Sequence, residues 1–300
     1  MAETAGAEKA PAKVNLTLHV LGRRADGYHD IESLVAFAGI SDALTFKPAP
    51  ALTLAVSGPA AAAVGEVADN LVLKAARALA ERVPGLTLGH FALSKRLPVA
   101  AGLGGGSSDA AAALRLLARA NGIAREDLRL MQAACAAGAD VPVCLDPRVR
   151  LMRGTGEVLS EPLALPRLFA VLVNPGVAVA TRDVFAALNA PPAPSGSAEA
   201  ASGATQPWRA ALARGGELAA LLAALAQDRN DLEAPAIELE PAIAEVLSVL
   251  RGLPGCRLVR MSGSGATCFG LFESSAAARA AAQQLRAGYP AWWVRATVLA

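Results

Sequence analysis

Residues 98–109 read PVAAGLGGGSSD, and four of the five residues from Gly102 to Gly106 are glycine. Glycine lets the backbone approach a ligand closely and present successive N–H groups to it. The Ser-Ser-Asp that follows is typical of a helix start, where unpaired N–H groups and a partial positive charge favour an anion. The sequence therefore predicts a loop that cradles phosphate, although a serine-capped helix start would by itself explain the last three residues.

This loop differs from the common glycine motifs of nucleotide-binding proteins. No Gly-Lys-Ser or Gly-Lys-Thr occurs anywhere in the chain, which excludes a Walker A loop. Counted from Gly102, Ser107 stands where a GxGxxG motif needs its last glycine. The His-Arg-Asp and Asp-Phe-Gly motifs of protein kinases are also absent from the sequence. Phosphate chemistry in this chain therefore requires another fold.

The segments around the loop carry an irregular succession of strand and helix patterns. Strands are predicted over residues 14–21, 31–37, 43–46, 52–56, 86–94 and 168–173. Helices are predicted over residues 70–81, capped by Asp69 or Asn70, from the glycine loop to 120, and over 125–137, 208–226 and 235–250. Residues 256–297 predict strand, turn, strand, helix and strand. This order indicates an α+β fold rather than the strict alternation of a doubly wound sheet.

The composition is that of a folded protein with one or two domains. The 300 residues are 54% hydrophobic and 18% charged, which excludes intrinsic disorder for most of the chain. A net charge of +2 without any run of five Lys or Arg gives no argument for a nucleic-acid partner. We expect no membrane span and no secretory signal, because no apolar stretch has the required length. Four cysteines without a CxxC pair predict reduced, buried thiols in a cytoplasmic protein.

Polar residues near the N terminus are a second group of candidates. In the run APAKVN, Lys13 and Asn15 fall on one face of the predicted strand, opposite Val14. A lysine in that position is usually no more than a solvated strand residue. Shortly afterwards, Tyr28 and His29 place a stacking ring next to a hydrogen-bonding ring. An ordinary hairpin loop would show the same composition.

Two later loops complete the candidates. Asp140, in the run GADVP, follows a predicted helix end and precedes an apolar strand-like run. It is either a turn residue or a carboxylate that accepts a proton from a substrate hydroxyl. The run SGSGAT at 262–267 joins two predicted strands, as a hairpin turn or as a ligand loop. Two Gly/Ser loops in one chain favour a shared anion site between two domains, whereas His90 lies in an apolar strand pattern and is expected to be structural.

In their order along the chain, these motifs resemble those of a known enzyme superfamily. The glycine loop, PAKVNLTLHV and SGSGAT resemble the three motifs of the small-molecule kinases that include galactose, homoserine, mevalonate and phosphomevalonate kinases. Within that superfamily, PAKVNL, GRRADGYH, GLGGGSSDAA and GADVP resemble the kinases that act on 4-diphosphocytidyl-2-C-methyl-D-erythritol in non-mevalonate isoprenoid synthesis. The resemblance runs from about residue 9 to the C terminus.

The resemblance implies a fold and an activity. The fold would be α+β with two domains: a ribosomal-protein-S5-like N-terminal domain over residues 1–160 and a ferredoxin-like C-terminal domain over 161–300, with the site in the cleft. ATP with Mg²⁺ would phosphorylate the 2-hydroxyl of the substrate, giving the 2-phosphate and ADP. The partner would be this small molecule, rather than a nucleic acid or a membrane, and the protein would be a monomer or a homodimer.

The resemblance also implies a role for each candidate residue. Asp140 would be the catalytic carboxylate, Lys13 its partner, and Asn70 would lie near the adenine. The substrate would be met by Asn15, Tyr28, His29 and Phe185, with Tyr28 and Phe185 stacking on the cytosine. The ATP phosphates would be held by Pro98, Val99, Ala100, Ala101, Gly102, Leu103, Gly104, Gly105, Gly106, Ser107 and Ser108. A serine hydroxyl, of Ser107 or Ser108, is a possible ligand of Mg²⁺ in the Mg–ATP complex.

One segment departs from the family pattern, and two alternatives remain open. Residues 190–207, APPAPSGSAEAASGATQP, are a longer insertion than the family leads us to expect and predict a flexible surface loop. A related kinase with another alcohol substrate is disfavoured by Tyr28, His29 and Phe185, because homoserine and mevalonate carry no base to stack. A non-catalytic binding protein is disfavoured because Lys13 and Asp140 are both present.

Overall fold

The computed structural model describes residues 6–193, 207–213 and 217–300, and the chain divides into two compact units. The first unit comprises Met1–Lys13, Ile40–Val99 and Gly104–Pro147. The second comprises Val14–Gly39, Ala100–Leu103 and Arg148–Ala300. Each unit therefore draws on several stretches of the chain, and the glycine loop contributes residues to both. The predicted domain boundary near residue 160 stays a prediction.

The first unit combines a mixed sheet with four helices. Its strands are β1 (Gly6–Asn15) up to Lys13, the later part of β3 (His29–Pro48), β4 (Thr53–Ser57) and β5 (Gly89–Ser94). Its helices are α1 (Leu71–Ala80), α2 (Gly105–Ala120), α3 (Leu128–Ala137) and α4 (Val141–Leu145). Strand β5 pairs antiparallel with β3 and parallel with β4. Helix α1 packs against α2 and α3, and α4 packs against the same two helices.

Helix α1 illustrates how local sequence determines these elements. The side-chain Oδ1 of Asn70 accepts a hydrogen bond from the N–H of Val72 at 3.0 Å. This bond satisfies one of the donors that a helix start leaves unpaired. Val72, Ala76 and Leu79 form one buried stripe with helical spacing. The predicted cap at Asn70 and the predicted helix are confirmed.

The second unit contains two sets of antiparallel strands. In one set, the first part of β3 pairs with β2 (His19–Arg23) and with β6 (Arg150–Gly154), and β6 pairs with β7 (Val158–Leu159). The other set has the order β11-β8-β10-β9. Its strands are β8 (Leu168–Asn174), β9 (Cys256–Met261), β10 (Cys268–Phe272) and β11 (Trp293–Leu299).

Helices cover this second set of strands and bury its core. The helices of the second unit are α5 (Thr181–Leu188), α6 (Pro207–Ala213), α7 (Leu218–Ala226), α8 (Glu233–Leu239), α9 (Ala242–Arg251) and α10 (Ser275–Gly288). Helix α9 packs on β9 and β10, and α10 packs on β8 and β11. Val173 of β8, Val246 and Leu250 of α9, and Leu285 of α10 belong to one buried cluster.

Most predicted elements are confirmed, with bounds shifted by a few residues and with three differences in continuity. The strand predicted over 14–21 is interrupted, because β1 ends at Asn15 and β2 begins at His19. The strands predicted over 31–37 and 43–46 are one strand, β3. The helix predicted over 235–250 is two helices, because Pro241 lacks the N–H that would continue α8 and instead begins α9.

Other predictions are wrong or incomplete. The run after Asp140 forms helix α4 rather than a strand, because Pro142 occupies its first turn and a short apolar run has no diagnostic periodicity. Strands β6 and β7 and helix α5 are absent from the sequence predictions. Cys135 is exposed, contrary to the prediction of buried thiols, because it lies on the outer face of α3; Cys144 and Cys268 are buried and Cys256 is half-buried.

The described elements make an α+β protein, as predicted, and its strands pair both parallel and antiparallel. The predicted flexible loop over 190–207 falls largely outside the described residues, which leave out 194–206. The predicted helix over 208–226 corresponds to α6 and α7, with 214–216 also outside the described residues. Across the described part of the chain, no helix combines the length and apolarity needed to cross a lipid bilayer.

Candidate functional site

An ion pair between Lys13 and Asp140 is the central feature of the first unit. The Lys13 Nζ lies 2.8 Å from Asp140 Oδ2, and the two side chains are 4% and 32% exposed. The simple interpretation of Lys13 as a solvated strand residue is therefore wrong. A buried ammonium needs an anionic partner to offset its lost hydration. The partially exposed carboxylate combines a fixed position with access for a ligand.

Two short elements set the position of Asp140. Helix α3 ends at Ala137, and Gly138 and Ala139 connect it to Asp140, which stands at the N-cap of α4. The side chain of Asp140 makes no capping hydrogen bond to α4. An N-cap aspartate usually turns back to the first N–H groups of its own helix. Here the carboxylate instead faces Lys13 of β1.

The later part of the glycine loop passes directly over this ion pair. Gly104 has φ 58° and ψ 22°, the left-handed region that favours glycine, and it precedes the first residue of α2. A Cβ at Gly104 would lie 3.1 Å from Lys13 Cε and 3.2 Å from Lys13 Cβ. The close approach of backbone and lysine therefore needs glycine. It brings the N terminus of α2 next to Lys13 and Asp140.

The first turn of α2 offers donors for an anion. Its N-cap is Gly104, which has no side chain to occupy the N–H groups at the helix start. A 16-residue helix also carries a partial positive charge at this end. The same turn contains the two predicted serines: Ser107 is half-buried, and Ser108 is buried. The hydroxyl of Ser108 donates to the carbonyl of Pro11 at 2.6 Å and lies 3.3 Å from Cys144 Sγ.

A buried group of three ions, not anticipated from the sequence, lies beneath the glycine loop. Lys95 Nζ donates to Asp42 Oδ2 at 2.6 Å and to Asp109 Oδ2 at 2.7 Å. The side chains of these three residues are 4%, 0% and 2% exposed. Asp42 Oδ1 also accepts hydrogen bonds from the N–H groups of Arg96 and Leu97. The group thus joins the chain before the loop to the helix after it.

The charges of this group are balanced against their burial. Burial disfavours the charged form of Lys95, but the carboxylates of Asp109 and Asp42 outweigh it and raise the pKa of Lys95. Burial also raises the pKa of Asp109, despite the nearby ammonium. Asp109 Oδ1 is buried and has no hydrogen-bond partner among the described residues. The sequence gives no shared signal for this group, because Lys95 stands between Ser94 and Arg96 and Asp109 follows two serines.

In the second unit, the predicted C-terminal loop contacts the first residues of the glycine loop. Ser262 Oγ donates to the carbonyl of Gly102 at 2.8 Å, and the N–H of Thr267 donates to the carbonyl of Ala101 at 3.1 Å. Gly102 has φ 73°, and a Cβ there would lie 2.2 Å from the carbonyl oxygen of Ser262. Residues 262–267 also connect the antiparallel strands β9 and β10. They therefore form a hairpin connection and at the same time hold the glycine loop.

Two asparagines organise this loop pair. The N–H of Asn15 donates to Ser262 Oγ at 3.1 Å, and its side-chain Nδ2 donates to Ser33 Oγ at 2.7 Å. Asn230 Nδ2 donates to the carbonyls of Met261 at 2.9 Å and Gly263 at 2.8 Å. Asn15 was predicted from the sequence, whereas Asn230 was not. Asn230 and Asp231 follow an alanine-rich helix, and nothing in the neighbouring sequence predicts that Asn230 binds the loop over 262–267.

Two of the aromatic candidates of the second unit stack on each other, and the stacking of Tyr28 and Phe185 on the cytosine stays a prediction. The ring of Phe185 stacks on His29, with centroids 4.7 Å apart and planes inclined by 25°. Tyr28 is 62% exposed. Burial, and next the positive charge of Arg23, lower the pKa of His29 below its ordinary 6.5. The neutral ring is therefore the form that stacks on Phe185 near pH 7.

The remaining candidates have structural partners. Asn70 caps α1, as described above, and His90 Nδ1 lies 2.8 Å from the hydroxyl of Thr53 on the neighbouring strand.

The glycine loop itself is divided between the two units. Pro98 and Val99 belong to the first unit, and Ala100 to Leu103 belong to the second. Ala100 has φ 50°, a left-handed conformation that is uncommon for alanine. Within the described residues, no three His, Cys, Asp or Glu side chains are grouped as a metal-binding cluster.

Comparison with known proteins gives family matches along both halves of the chain. The model described as GHMP kinases N terminal domain matches residues 70–146, and the model described as GHMP kinases C terminal matches residues 208–291. A protein of Xanthobacter autotrophicus named 4-diphosphocytidyl-2-C-methyl-D-erythritol kinase is 58% identical, over 97% of this chain and 98% of its own. A protein of the same name from Rhodopseudomonas palustris is 56% identical, over 96% and 95%.

Solved structures agree with these matches. A crystal structure of a 4-(cytidine 5'-diphospho)-2C-methyl-D-erythritol kinase is 38% identical, covers 98% of this chain and 99% of its own, and has a TM-score of 0.75. A homoserine kinase from Cytophaga hutchinsonii is 20% identical, covers 97% and 93%, and has a TM-score of 0.71, which speaks for the fold alone. The relatives are 56–58% identical along nearly the whole chain, and the Lys13–Asp140 pair and the glycine loop are consistent with this match. The chain therefore belongs to the 4-diphosphocytidyl-2-C-methyl-D-erythritol kinase family of the GHMP kinases.

Proposed function

We propose that this chain transfers the γ-phosphoryl group of ATP to the 2-hydroxyl of 4-diphosphocytidyl-2-C-methyl-D-erythritol. The products are ADP and the 2-phosphate of the substrate, an intermediate of the non-mevalonate route to isoprenoids. The observation that carries the proposal is the Lys13–Asp140 ion pair against Gly104, in a chain that matches kinases of that name along nearly its whole length. We also propose the S5-like and ferredoxin-like descriptions of the two domains.

Asp140 acts on the attacking hydroxyl in this proposal. Its carboxylate is partially exposed, so one oxygen can meet a ligand while Oδ2 stays with Lys13. A carboxylate at hydrogen-bond distance orients a hydroxyl and accepts its proton as the bond to phosphorus forms. Lys13 fixes the carboxylate and contributes positive charge near the transferring phosphoryl group. Phosphoryl transfer has a loose transition state, so positioning and charge account for most of the catalysis.

The first turn of α2 holds the phosphates in this proposal. The N–H groups after Gly104 have no intrahelical acceptors, and the positive helix end favours the anion. We assign the phosphate contacts mainly to Gly105, Gly106 and Ser107. The burial of Ser108 and its hydrogen bond to Pro11 support a structural role for that hydroxyl.

Mg²⁺ fits the chemistry of this turn when it arrives with ATP. The ion usually takes one or two protein oxygens and completes its shell with phosphate oxygens and water. The hydroxyl of Ser107 and the carboxylate of Asp140 are oxygen ligands of that kind. Bound there, Mg²⁺ would neutralise charge on the phosphates. Ser108 is less suited, because its side chain is buried and its hydroxyl lies against Cys144 Sγ.

The second unit recognises the cytidine end of the substrate in this proposal. Tyr28 supplies an exposed ring on which the cytosine stacks. His29 is held neutral, so one ring nitrogen donates a hydrogen bond and the other accepts one. Phe185 supplies a second ring, at present stacked on His29. Asn15 contributes through the amide that it anchors on Ser33.

The experiment is an ADP-release assay with ATP, Mg²⁺ and four alcohols, each supplied separately. The alcohols are 4-diphosphocytidyl-2-C-methyl-D-erythritol, homoserine, mevalonate and galactose, and a reaction without alcohol gives the ATPase background. We expect turnover above that background with the cytidine-containing alcohol alone. Turnover with another alcohol instead would retain the kinase and overturn the substrate. Background rates with all four, from folded protein, would overturn the proposed function.

A further inference from the structure

Arg115 is a buried cation that the proposed mechanism does not use. It lies on α2, and its side chain is only 9% exposed. Burial lowers the pKa of Arg115 to about 10. Burying a guanidinium is costly unless its donors are satisfied. We therefore ask which contacts offset the burial of Arg115 and what those contacts hold in place.

The guanidinium donates to two different elements at once. Nε donates to Glu8 Oε2 at 2.9 Å, and Nη2 donates to the carbonyl of Lys9 at 2.8 Å, both on β1. Nη1 donates to the carbonyl of Cys144 at 2.8 Å, with that of Leu145 at 3.4 Å, both at the end of α4. The last carbonyls of a helix lack intrahelical partners, so Arg115 closes the C terminus of α4.

These two elements are the ones that carry the central ion pair. Lys13 lies on β1, four residues after the carbonyl of Lys9 that Arg115 holds. Asp140 stands at the N-cap of α4, a helix of only five residues whose other end Arg115 holds. A displacement of either element would therefore move one partner of the 2.8 Å contact.

A second contact on α2 acts on the same two elements. Ser108 donates to the carbonyl of Pro11 on β1 and lies against Cys144 Sγ of α4. Ser108 and Arg115 are seven residues apart, so they stand on one face of α2. One face of α2 thus contacts both β1 and α4 at two positions, Ser108 and Arg115.

We propose that Arg115 is a positioning residue that sets the distance and orientation between Lys13 and Asp140 by clamping β1 and α4 to α2. This inference rests on the proposed function for the chemistry of the pair, but the clamp itself is a property of the first unit. Arg115 touches neither substrate nor ATP in this account. Its planar fork reaches four acceptors on two elements, which the single ammonium of a lysine does not reproduce.

The chain provides a matched pair of variants to test the clamp. Arg115→Lys keeps the charge and the contact with Glu8 but cannot hold both β1 and α4. Arg119→Ala removes the other arginine that binds Glu8, leaves α4 untouched, and is the control. In the kinase reaction, we expect Arg115→Lys to lower kcat about 10–100-fold with both KM values nearly unchanged, since small misplacements are costly for chemistry. Arg119→Ala should keep the parental kcat, and equal kcat values in the two variants would overturn the proposal.

A second measurement reports on the clamp without any turnover. In a Cys135→Ser background, the alkylation rates of Cys144 and Cys268 are followed by peptide mapping of the native protein. Both thiols are buried, and Cys268 lies in the second unit as an internal reference. We expect Arg115→Lys to accelerate labelling of Cys144 about tenfold or more by local opening of α4, with Cys268 unchanged. An unchanged Cys144 rate, or a parallel rise at both cysteines, would overturn the clamp.

The two measurements separate the possible failures. If the parental protein has no activity with the cytidine-containing alcohol, the proposed function is wrong, and the labelling rates still decide whether Arg115 holds α4. If the parental protein is active and both readouts are insensitive to Arg115→Lys, the proposed function stands and the positioning role is wrong.

Discussion

Among single side chains, Lys13 shows most clearly how burial changes the meaning of a residue. In the sequence it looks like an ordinary lysine on a strand, but its side chain is 4% exposed and its ammonium lies 2.8 Å from Asp140. The free-energy cost of removing the ammonium from water is offset only when such an anionic partner is present. The ion pair joins residues 127 positions apart, so each half of the site depends on the fold to find the other.

Asp140→Asn tests the role of the carboxylate. Asparagine keeps the shape but cannot accept the hydroxyl proton, so we expect kcat to fall roughly 10²–10⁴-fold with the fold intact. The matched control is Asp127→Asn, because Asp127 is also an N-cap aspartate of the first unit and asparagine caps equally well there. Steady-state kinetics with a circular dichroism spectrum make the comparison. Near-parental turnover of Asp140→Asn would refute the assignment.

His29 allows a test by titration. Burial and the charge of Arg23 both favour the neutral imidazole and lower the pKa of His29 below 6.5. Arg23→Gln removes the second cause, and Phe185→Ala removes part of the first, so each should raise that pKa towards 6.5. Proton NMR titration of the ring C–H signals, assigned with His29→Gln, gives the values. A pKa of His29 that stays constant or drops in both variants would contradict this reading of the stack.

Among the helices and strands, the glycine loop is held at both ends by buried polar contacts. Asp42 on β3 and Asp109 on α2 both bind Lys95, which stands just after β5. Three elements of the first unit therefore meet at one ammonium. A loop rich in glycine loses much conformational freedom on folding, and fixed ends reduce the freedom that remains to be lost when ATP binds.

Lys95→Met should be strongly destabilising because it leaves two buried carboxylates without their cation. We expect the free energy of unfolding to fall by about 3–5 kcal/mol in urea unfolding. The pKa of Asp109 is already raised by burial and would rise further, so the folded state would hold a proton that the unfolded state releases. The loss should therefore be larger at pH 8 than at pH 5. The control is Lys47→Met, at an exposed position of β3, the strand that carries Asp42; equal unfolding curves for the two variants would contradict the stabilising role of Lys95.

Asn70 has a structural role in α1 and a proposed one near the adenine, and two substitutions separate them. Asn70→Ala removes the cap and should lower the free energy of unfolding by about 0.5–2 kcal/mol, whereas Asn70→Asp keeps a capping oxygen and should be close to neutral. Neither variant retains the amide donor, so both should raise the KM for ATP. An unchanged KM for ATP in both variants would remove Asn70 from the adenine site. Equal stability losses in both would remove the cap from the explanation of α1.

At the scale of the whole molecule, the features that the sequence predicts correctly are those that depend on residues close together in the chain. The cap at Asn70, the glycines at 102 and 104, and strands such as Cys256–Met261 depend on neighbours a few residues away. The family motifs supplied Lys13 and Asp140 as candidates because their residue types and order are distinctive. The contact between Lys13 and Asp140 could not be predicted from patterns of neighbouring residues, because the two residues are 127 positions apart.

What the sequence did not predict depends on contacts between distant segments. Lys95 meets Asp42 across 53 residues, and Arg115 meets Glu8 across 107, with no periodicity to announce either contact. A five-residue apolar run such as that of α4 fits both the strand and the helix pattern, and its packing against α2 favours the helix. The stacking of His29 on Phe185 was likewise not predicted, whereas the stacking of Tyr28 and Phe185 on the cytosine stays a prediction.

The measurement that tests the account most directly is a proton-coupled ³¹P NMR spectrum of the reaction of ATP with 4-diphosphocytidyl-2-C-methyl-D-erythritol. The 2-hydroxyl is tertiary, so its phosphate has no proton on the attached carbon to couple with. We expect one new phosphomonoester singlet, with the signals of ADP growing in equal amount and those of the cytidine diphosphate group retained. A doublet or triplet would place the phosphate on a secondary or primary hydroxyl, and no new phosphomonoester signal would contradict phosphoryl transfer to this substrate.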